Sequence, residues 1–331
     1  MLCEHVFSGV DLRQLEVIRA IADAGSFTAA GEKLRVSQSA ISRQILLLEQ
    51  ELGEAVFHRI GRRIRITPAG EALLQLSHRV FQDLDDTVAG ISDTQESLRG
   101  TMRLVGGMTV CLYVFPTLLA EVRRTHPRLD LKITVGSAER SIAMLRSGAG
   151  DLGLVTLPVE TADLISVPVL EEELLLVTYP THPLAERKHV LPADLHKQPF
   201  ILFETGSITR RLVDEFFTRE RILPDIIMET ENVEIIKAMV RHGLGISIIP
   251  WQAAAADVSA GHLAYSRVAG HSLVRQTGWL YPKMTRLPRS VAEVMRVFET
   301  VRPQMEAAVR PPRRPTEPGP LAGVVGRRQR S

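Results

Sequence analysis

Cap and stop residues fall so close together between residues 11 and 67 that this stretch can fold only as short helices followed by a hairpin. Asp11 is a suitable N-cap ahead of Leu12, Leu15, Ile18, Ile21 and Ala22, which recur at helical spacing, and Gly25 ends that run. Ser26 caps a second helix carrying Phe27, Ala30 and Leu34. Arg35 and Val36 then form a tight turn, and Ser37 caps a third helix that runs to about Leu52. Ala40, Ile41, Ile45, Leu48 and Leu52 make one apolar stripe on this third helix. Gln38, Ser39, Ser42 and Arg43 are therefore expected to point outward near its N-terminus. After Gly53, the runs Val56-Phe57-His58-Arg59 and Ile64-Arg65-Ile66 flank Gly61-Arg62-Arg63, which reads as a hairpin with a basic tip, a wing.

The surface chemistry of this unit suits duplex DNA. Ser37, Gln38, Ser39, Ser42 and Arg43 supply short hydroxyls for phosphates, an amide that fits adenine and a guanidinium that fits guanine. No acidic residue lies between Glu54 and Glu71, whereas Arg59, Arg62, Arg63 and Arg65 concentrate positive charge on the hairpin, where it can meet backbone or minor groove. The whole chain is nearly neutral, with 40 Lys and Arg against 38 Asp and Glu, so affinity for DNA has to come from this local clustering.

Thr67-Pro68 opens a long helix on which Leu73, Leu76, Val80, Leu84, Val88, Ile91 and Leu98 keep near-helical spacing, with Asp83, Asp85 and Asp86 opposite. So narrow a stripe predicts a dimer seam. Beyond Gly100, strands and helices alternate: strands over Met102–Val105, Leu129–Val135 and Gly153–Thr156, helices over Val110–Thr125 and Ala138–Ser147. A second set begins at Glu173–Thr178 and includes Phe200–Phe203, Thr209–Glu220, Ile226–Glu229, Val233–Arg241 and Ile246–Ile249. This pattern predicts two α/β lobes on a largely parallel sheet. Ligands in such folds bind beyond the carboxyl ends of strands, where helix N-termini present free amides. The residues expected there are Gly107, Met108, Thr109, Ser137, Thr156, Thr205, Gly206, Ser207 and Asn232. Their hydroxyls and glycines suit a small anionic co-inducer, with Arg210 as a candidate charge partner. The expected organisation is a DNA-binding domain over 11–69, a linker and dimerisation helix over 70–99, an effector domain over 100–309 and a disordered basic tail over 310–331.

Other function classes fare poorly. No Ser-His-Asp order, Walker sequence, dinucleotide fingerprint or metal-ligand spacing is present, so neither an enzyme nor a bound cofactor or metal is expected. Cys3 and Cys111 are the only cysteines, which excludes a disulfide framework. A buried, unreactive thiol is the expected state of Cys111. The first residues lack a basic segment followed by an apolar one, and no apolar run is long enough to span a bilayer, so the cytoplasm is the expected compartment. A transporter's solute-binding protein would share the two lobes, yet it would need an export signal and would not carry a helix-turn-helix.

The segments Asp11-Leu12-Arg13-Gln14-Leu15, Gly25-Ser26-Phe27-Thr28-Ala29-Ala30, Ser37-Gln38-Ser39-Ala40-Ile41-Ser42-Arg43-Gln44-Ile45, Leu48-Glu49 and Thr67-Pro68-Ala69-Gly70 resemble the N-terminal domain of LysR-type transcriptional regulators over its whole length. Gly150-Asp151-Leu152-Gly153-Leu154-Val155 and Gly243-Leu244-Gly245-Ile246, with Pro250, resemble the effector domain of that family. The resemblance implies a winged helix-turn-helix, a linker helix and a two-lobed α/β effector domain like that of type 2 periplasmic binding proteins. It also implies a homodimer or homotetramer on operator DNA, a small-molecule cleft between the lobes, and RNA polymerase as a further partner. Carried over, Gln38, Ser39, Ser42 and Arg43 lie on the recognition helix, Ser26 and Thr28 on the helix before it, and Arg62, Arg63 and Arg65 on the wing. Many members have proline where this chain has Ser39, and the tail after Val309 is outside the family pattern.

Overall fold

The computed structural model describes residues 10–60, 63–91 and 98–311; Cys3, Arg62 and residues 312–331 of the tail lie outside the described residues. Three helices open the fold: α1 (Leu12–Ala24), α2 (Phe27–Leu34) and α3 (Gln38–Leu52). Asp11 and Gln14 cap α1 reciprocally, the Gln14 amide donating to Asp11 Oδ1 at 2.7 Å and the Asp11 amide to Gln14 Oε1 at 3.0 Å. Gly25 and Gly53 take the left-handed conformation that ends α1 and α3. Val17, Ile18, Ile21, Phe27, Ala30, Ile41, Ile45 and Leu48 form the core of this unit. Leu12, Ala22 and Ala40, expected inside, are exposed, because α1 buries an arc centred on Ile18 and Ile21 and the first turn of α3 stands clear of the core. Strands β1 (Phe57–Ile60) and β2 (Arg63–Ile66) pair antiparallel as the hairpin.

Helix α4 (Pro68–Ile91) packs Leu73 and Leu74 on the helix-turn-helix core, and its buried Ser77 hydroxyl donates to the Leu15 carbonyl at 2.9 Å. The Arg19 guanidinium lies 4.3 Å from the centre of the Phe81 ring. Leu76, Leu84 and Val88 are exposed along the helix. Leu98 does not extend this stripe: it is buried in the core of the effector domain, beyond the end of α4.

The effector domain follows in the order β3 (Gly100–Gly106), α5 (Met108–Tyr113), α6 (Phe115–Thr125), β4 (Leu129–Val135), α7 (Ala138–Arg146), β5 (Leu152–Leu157), β6 (Leu164–Thr178) and β7 (His189–Val190). It continues through β8 (Pro199–Phe203), α8 (Ile208–Arg219), β9 (Asp225–Thr230), α9 (Val233–Arg241), β10 (Ser247–Pro250), α10 (Trp251–Ser259), β11 (Ala264–Val268), β12 (Val274–Pro282) and α11 (Arg289–Val309). The single helix expected over Val110–Thr125 is two, because Pro116 has no amide to continue the helical bonds and the chain restarts at Phe115. The strand expected from Glu173 begins at Leu164 and runs fifteen residues. The sheet is mixed rather than largely parallel: β3 pairs parallel with β4 and β5, but β12 runs antiparallel to β5 and β6, and β10 and β11 antiparallel to β6. That reversal follows from connectivity, since the chain leaves the first lobe along β6 and returns along β12.

The linker helix comes close to the first lobe at His78. A side chain at Gly148, in the turn after α7, would come within 3.2 Å of His78 Cβ on α4. The His78 ring is half-buried there and is held neutral down to about pH 4, by burial first, then by Arg103 and Arg19, with Asp23 opposing. The unfolded chain binds this proton near pH 6.5. Stability is therefore expected to be full above that value and to fall as pH drops from about 6.5 toward 4. Denaturant titrations across this window should show a flatter pH slope for His78→Gln than for the wild type; equal slopes would mean that the ring is solvated.

Candidate functional site

The turn between α2 and α3 is tight because Gly31 has no side chain: a Cβ there would lie 2.7 Å from the Val36 carbonyl oxygen. Val36 donates its amide to Gly31 O at 2.9 Å, and Arg35 takes φ 56°. Ser26 and Ser37 cap the two helices by accepting amides from Ala29 at 3.1 Å and Ala40 at 3.2 Å. The Ser37 and Ser39 hydroxyls lie 2.9 Å apart, and Gln38 Nε2 donates to Ser42 Oγ at 2.7 Å, so the polar groups of the first turn of α3 are ordered before any partner arrives. Thr28, Gln38, Ser39 and Arg43 are exposed, and Ser42 is half-buried. On the hairpin, Arg65 stands directly across from His58, both exposed; of Arg63 only the backbone is described. Glu49 of α3 accepts the amides of Val56 at 2.7 Å and Phe57 at 3.1 Å, which fixes the wing to the recognition helix. The sequence carried Glu49 only as part of the family resemblance.

A second site lies between the lobes. Strands β3, β4 and β8 each end in a glycine-bearing turn that opens a helix, through Gly106-Gly107, Gly136-Ser137 and Thr205-Gly206-Ser207. These ends and Thr156 of β5 surround a cleft of about 410 Å³, within the range for small-molecule sites. Gly107, Met108, Thr109, Ser137, Thr156, Thr205, Gly206 and Ser207 all line it. Asn232 does not; it caps α9 by accepting the Glu234 amide at 2.9 Å. Ser137 and Ser207 accept amides from Arg140 at 3.2 Å and Arg210 at 3.1 Å, which leaves each hydroxyl free to donate.

Arg210 is not the charge in this cleft. Its guanidinium turns away and is committed to Asp214 at 2.8 Å, Glu229 at 2.6 Å and the Phe203 carbonyl at 3.0 Å. The same hydrogen bond from Arg210 holds the Glu229 carboxyl below its usual range. The cation on the floor of the cleft is Arg275 of β12, with Thr209 of α8 beside it, and both are buried. Neither stood out in the sequence, because nothing local marks an arginine 103 residues from its carboxylate partner, Glu172. Arg140, Glu139, Glu204 and Glu231 complete the mouth. On the far side of α5, Gln252 Nε2 donates to the Tyr113 carbonyl at 2.9 Å, and Lys237 Nζ donates to the Tyr113 hydroxyl at 3.0 Å, joining the lobes.

Cys111 is the only cysteine among the described residues. Burial pushes its thiol up to about 11.

Comparison with known proteins places both sites in context. Residues 12–71 match the family described as bacterial regulatory helix-turn-helix protein, lysR family, and residues 95–302 match the LysR substrate binding domain. The HTH-type transcriptional activator CmpR of Synechocystis sp. is 34% identical over 276 residues, covering 83% of this chain and 90% of that protein. The RuBisCO operon transcriptional regulator of Allochromatium vinosum is 31% identical over 279 residues, covering 84% and 92%. Among solved structures, full-length OxyR from Pseudomonas aeruginosa superposes with a TM-score of 0.73 at 23% identity, over 90% of this chain and 95% of that one. CbnR in complex with its target DNA gives 0.61 at 24% identity, over 88% and 99%. At those identities the structures speak to the fold alone.

A thiol whose pKa lies near 11 is almost wholly protonated at neutral pH and is a poor nucleophile. Iodoacetamide at pH 8 is expected to modify Cys111 in the native protein far more slowly than in the denatured chain, as followed by mass spectrometry. Equal rates would contradict the burial of this thiol.

Proposed function

This chain belongs to the LysR family of bacterial helix-turn-helix regulators, and on that premise we propose how its residues divide the work. The chain is a ligand-responsive, DNA-binding transcriptional regulator and not an enzyme. Its α3 enters the major groove and reads bases with Gln38, Ser39, Ser42 and Arg43, while Ser26, Thr28 and Ser37 bind phosphates at the two helix N-termini. Arg62, Arg63 and Arg65 of the wing contact the backbone. A small anionic molecule seated between the lobes, against Thr109, Ser137 and Ser207, changes how two such units are spaced on the operator. It can do so only by favouring one lobe arrangement over another. RNA polymerase is the partner through which that change is read, in the cytoplasm where operator DNA lies.

The single observation that carries the link from ligand to DNA is the placement of α7. Ser137 and Arg140 at its start line the cleft, and just past its end Gly148 lies close enough to His78, on the helix that bears the DNA-binding unit, that an added Cβ would come within 3.2 Å of His78 Cβ. A shift of α7 therefore reaches both places. The exposed Leu76 and Leu84 of α4, apolar and uncovered within one chain, supply the seam of a homodimer. No helix among the described residues is long and apolar enough to cross a membrane.

A thiol sensor is disfavoured. One relative, a probable hydrogen peroxide-inducible genes activator of Mycobacterium avium, is 32% identical over 269 residues, yet the described cysteine here is protonated and half-buried.

Two experiments test this reading. Arg43→Ala should cost about 1–3 kcal/mol on the cognate operator and narrow the gap to random DNA, whereas Arg65→Ala should weaken both DNAs alike. Equal loss of specificity in the two variants would remove Arg43 from base readout. Sedimentation should show the wild type as a dimer or larger and the Leu76→Asp, Leu84→Asp double variant as a monomer; a monomeric wild type at micromolar concentration would end the seam assignment.

A further inference from the structure

We propose that Arg275 is the residue that recognises the effector, gripping a compact oxyanion, the carboxylate or phosphate group of a small molecule, on the floor of the cleft. The inference rests on the reading that the effector binds between the lobes and adds to it the group that selects the ligand.

Arg275 sits opposite Glu172 in the β6–β12 register, and both side chains are almost wholly buried, at 3% and 2% exposure. Its Nε donates to Glu172 Oε2 at 2.7 Å, and its Nη1 donates to the Thr209 hydroxyl at 2.9 Å. Glu172 Oε2 also accepts the Thr277 hydroxyl at 3.2 Å. These bonds lock the guanidinium plane. Nη2 is left: it is buried and has no hydrogen-bond partner among the described residues. A guanidinium is always charged and carries five N–H donors in a fixed fork, so a buried Nη2 with no acceptor destabilises the fold unless a ligand supplies one. Buried polar atoms left unmatched in this way call for an explanation, and a binding site is one.

Three features around Arg275 point to an anion as that acceptor. Arg275 itself lines the cleft, and its Nη2 is the nitrogen left without an acceptor among the described residues. Thr209 belongs to the first turn of α8, a twelve-residue helix whose positive end opens on the same wall beside Ser207. Across from it, Thr109 and Ser137 bring hydroxyls from the first lobe. An oxyanion on Nη2 would thus touch the crossing strand and, through these hydroxyls, both lobes at once. Recognition at the crossing is where a ligand acts most directly on the angle between the lobes.

The arginine also explains what the hydroxyls alone do not, namely charge selection. Three carboxylates, those of Glu139, Glu204 and Glu231, line the mouth against one cation there, Arg140, so the net attraction for an anion comes from the floor. Glu172 neutralises Arg275 in part, which lets the site bury a cation without a ligand. It leaves the directional donor to discriminate an acceptor group from a donor group.

The test uses the full chain, with sodium acetate and sodium phosphate as probes at constant ionic strength, read by thermal shift and calorimetry. Acetate, phosphate or both should raise the melting temperature of the wild type, and which of them does so distinguishes a carboxylate from a phosphate group. Arg275→Gln alone strands Glu172 in the interior and can fail to fold, so the decisive variant is the neutral pair Glu172→Gln with Arg275→Gln. This double variant should lose at least tenfold in affinity for the responding anion, while Arg211→Gln, on the exposed side of α8, should bind as the wild type does. A wild type that answers to neither anion overturns the proposal, and so does a double variant that binds as tightly as the wild type. Thr109→Val separates the two readings. If it abolishes binding while the double variant keeps it, the cleft stands and Arg275 falls. If neither matters, the probe is an adventitious ion only and both fall.

Discussion

The paired strands β6 and β12 are the constraint on which the effector domain depends. They run antiparallel from Val274 opposite Glu173 to Pro282 opposite Leu164, with one register shift between Thr277 and Gly278. A Cβ at Gly278 would lie 2.6 Å from Leu157 Cδ1 and 2.7 Å from the Val167 carbonyl oxygen, so only glycine lets the strands close at that shift. Each lobe builds its sheet outward from this ribbon, β5 joining β12 on one side and β10 and β11 joining β6 on the other. The cleft-lining ends of β3, β4 and β5 are placed by that pairing, whereas β8 forms a separate two-stranded sheet with β9 and meets the larger one next to β10, through the bridge between Phe200 and Ile246. A ribbon of two strands resists stretching along its hydrogen bonds yet bends easily, which is the mechanical character a closing cleft requires.

The DNA-binding half has its own fixed joint. Thr67 donates its hydroxyl to the Ala55 carbonyl at 2.6 Å and accepts the Gly70 amide at 3.0 Å. A side chain at Gly70 would lie 2.2 Å from the Val56 carbonyl oxygen. The start of α4 is thus bonded to the base of the wing, and the wing is bonded to α3 through Glu49. Linker, wing and α3 are therefore held to one another by hydrogen bonds to backbone amides and carbonyls.

How much of this the sequence disclosed depended on how local the signal was. Caps and stops are local, and Asp11, Gly25, Ser26, Ser37 and Gly53 stand where their chemistry puts them. The strand-to-helix turns at Gly107, Ser137 and Ser207 were equally readable, since glycines and hydroxyls there serve a backbone need. What escaped was non-local. A helical period does not reveal that Leu98 belongs to another core, or that β12 must run against β5. Arg210 and Arg275 look alike in sequence; only the fold turns one toward Asp214 and Glu229 and the other toward Glu172 and the cleft. Asn232 read as a ligand group because asparagine at a strand end serves equally as a helix cap, and here the cap won.

The second lobe is an insertion within the first, and this bears on how the protein is made. The core of the first lobe unites Met102, Leu104, Phe115, Leu118 and Leu154 with Trp279, Val291, Phe298 and Met305. A chain emerging from the ribosome presents the early members of that core long before the late ones, with all of lobe two synthesised in between. The helix-turn-helix, whose core is drawn from one continuous stretch, can close at once. Synthesis therefore passes through a stage in which a finished DNA-reading unit trails an incomplete sensor with its apolar surface uncovered. Chains truncated before α11 would keep the reading head, lack the completed sensor, and be the natural clients of chaperones and proteases.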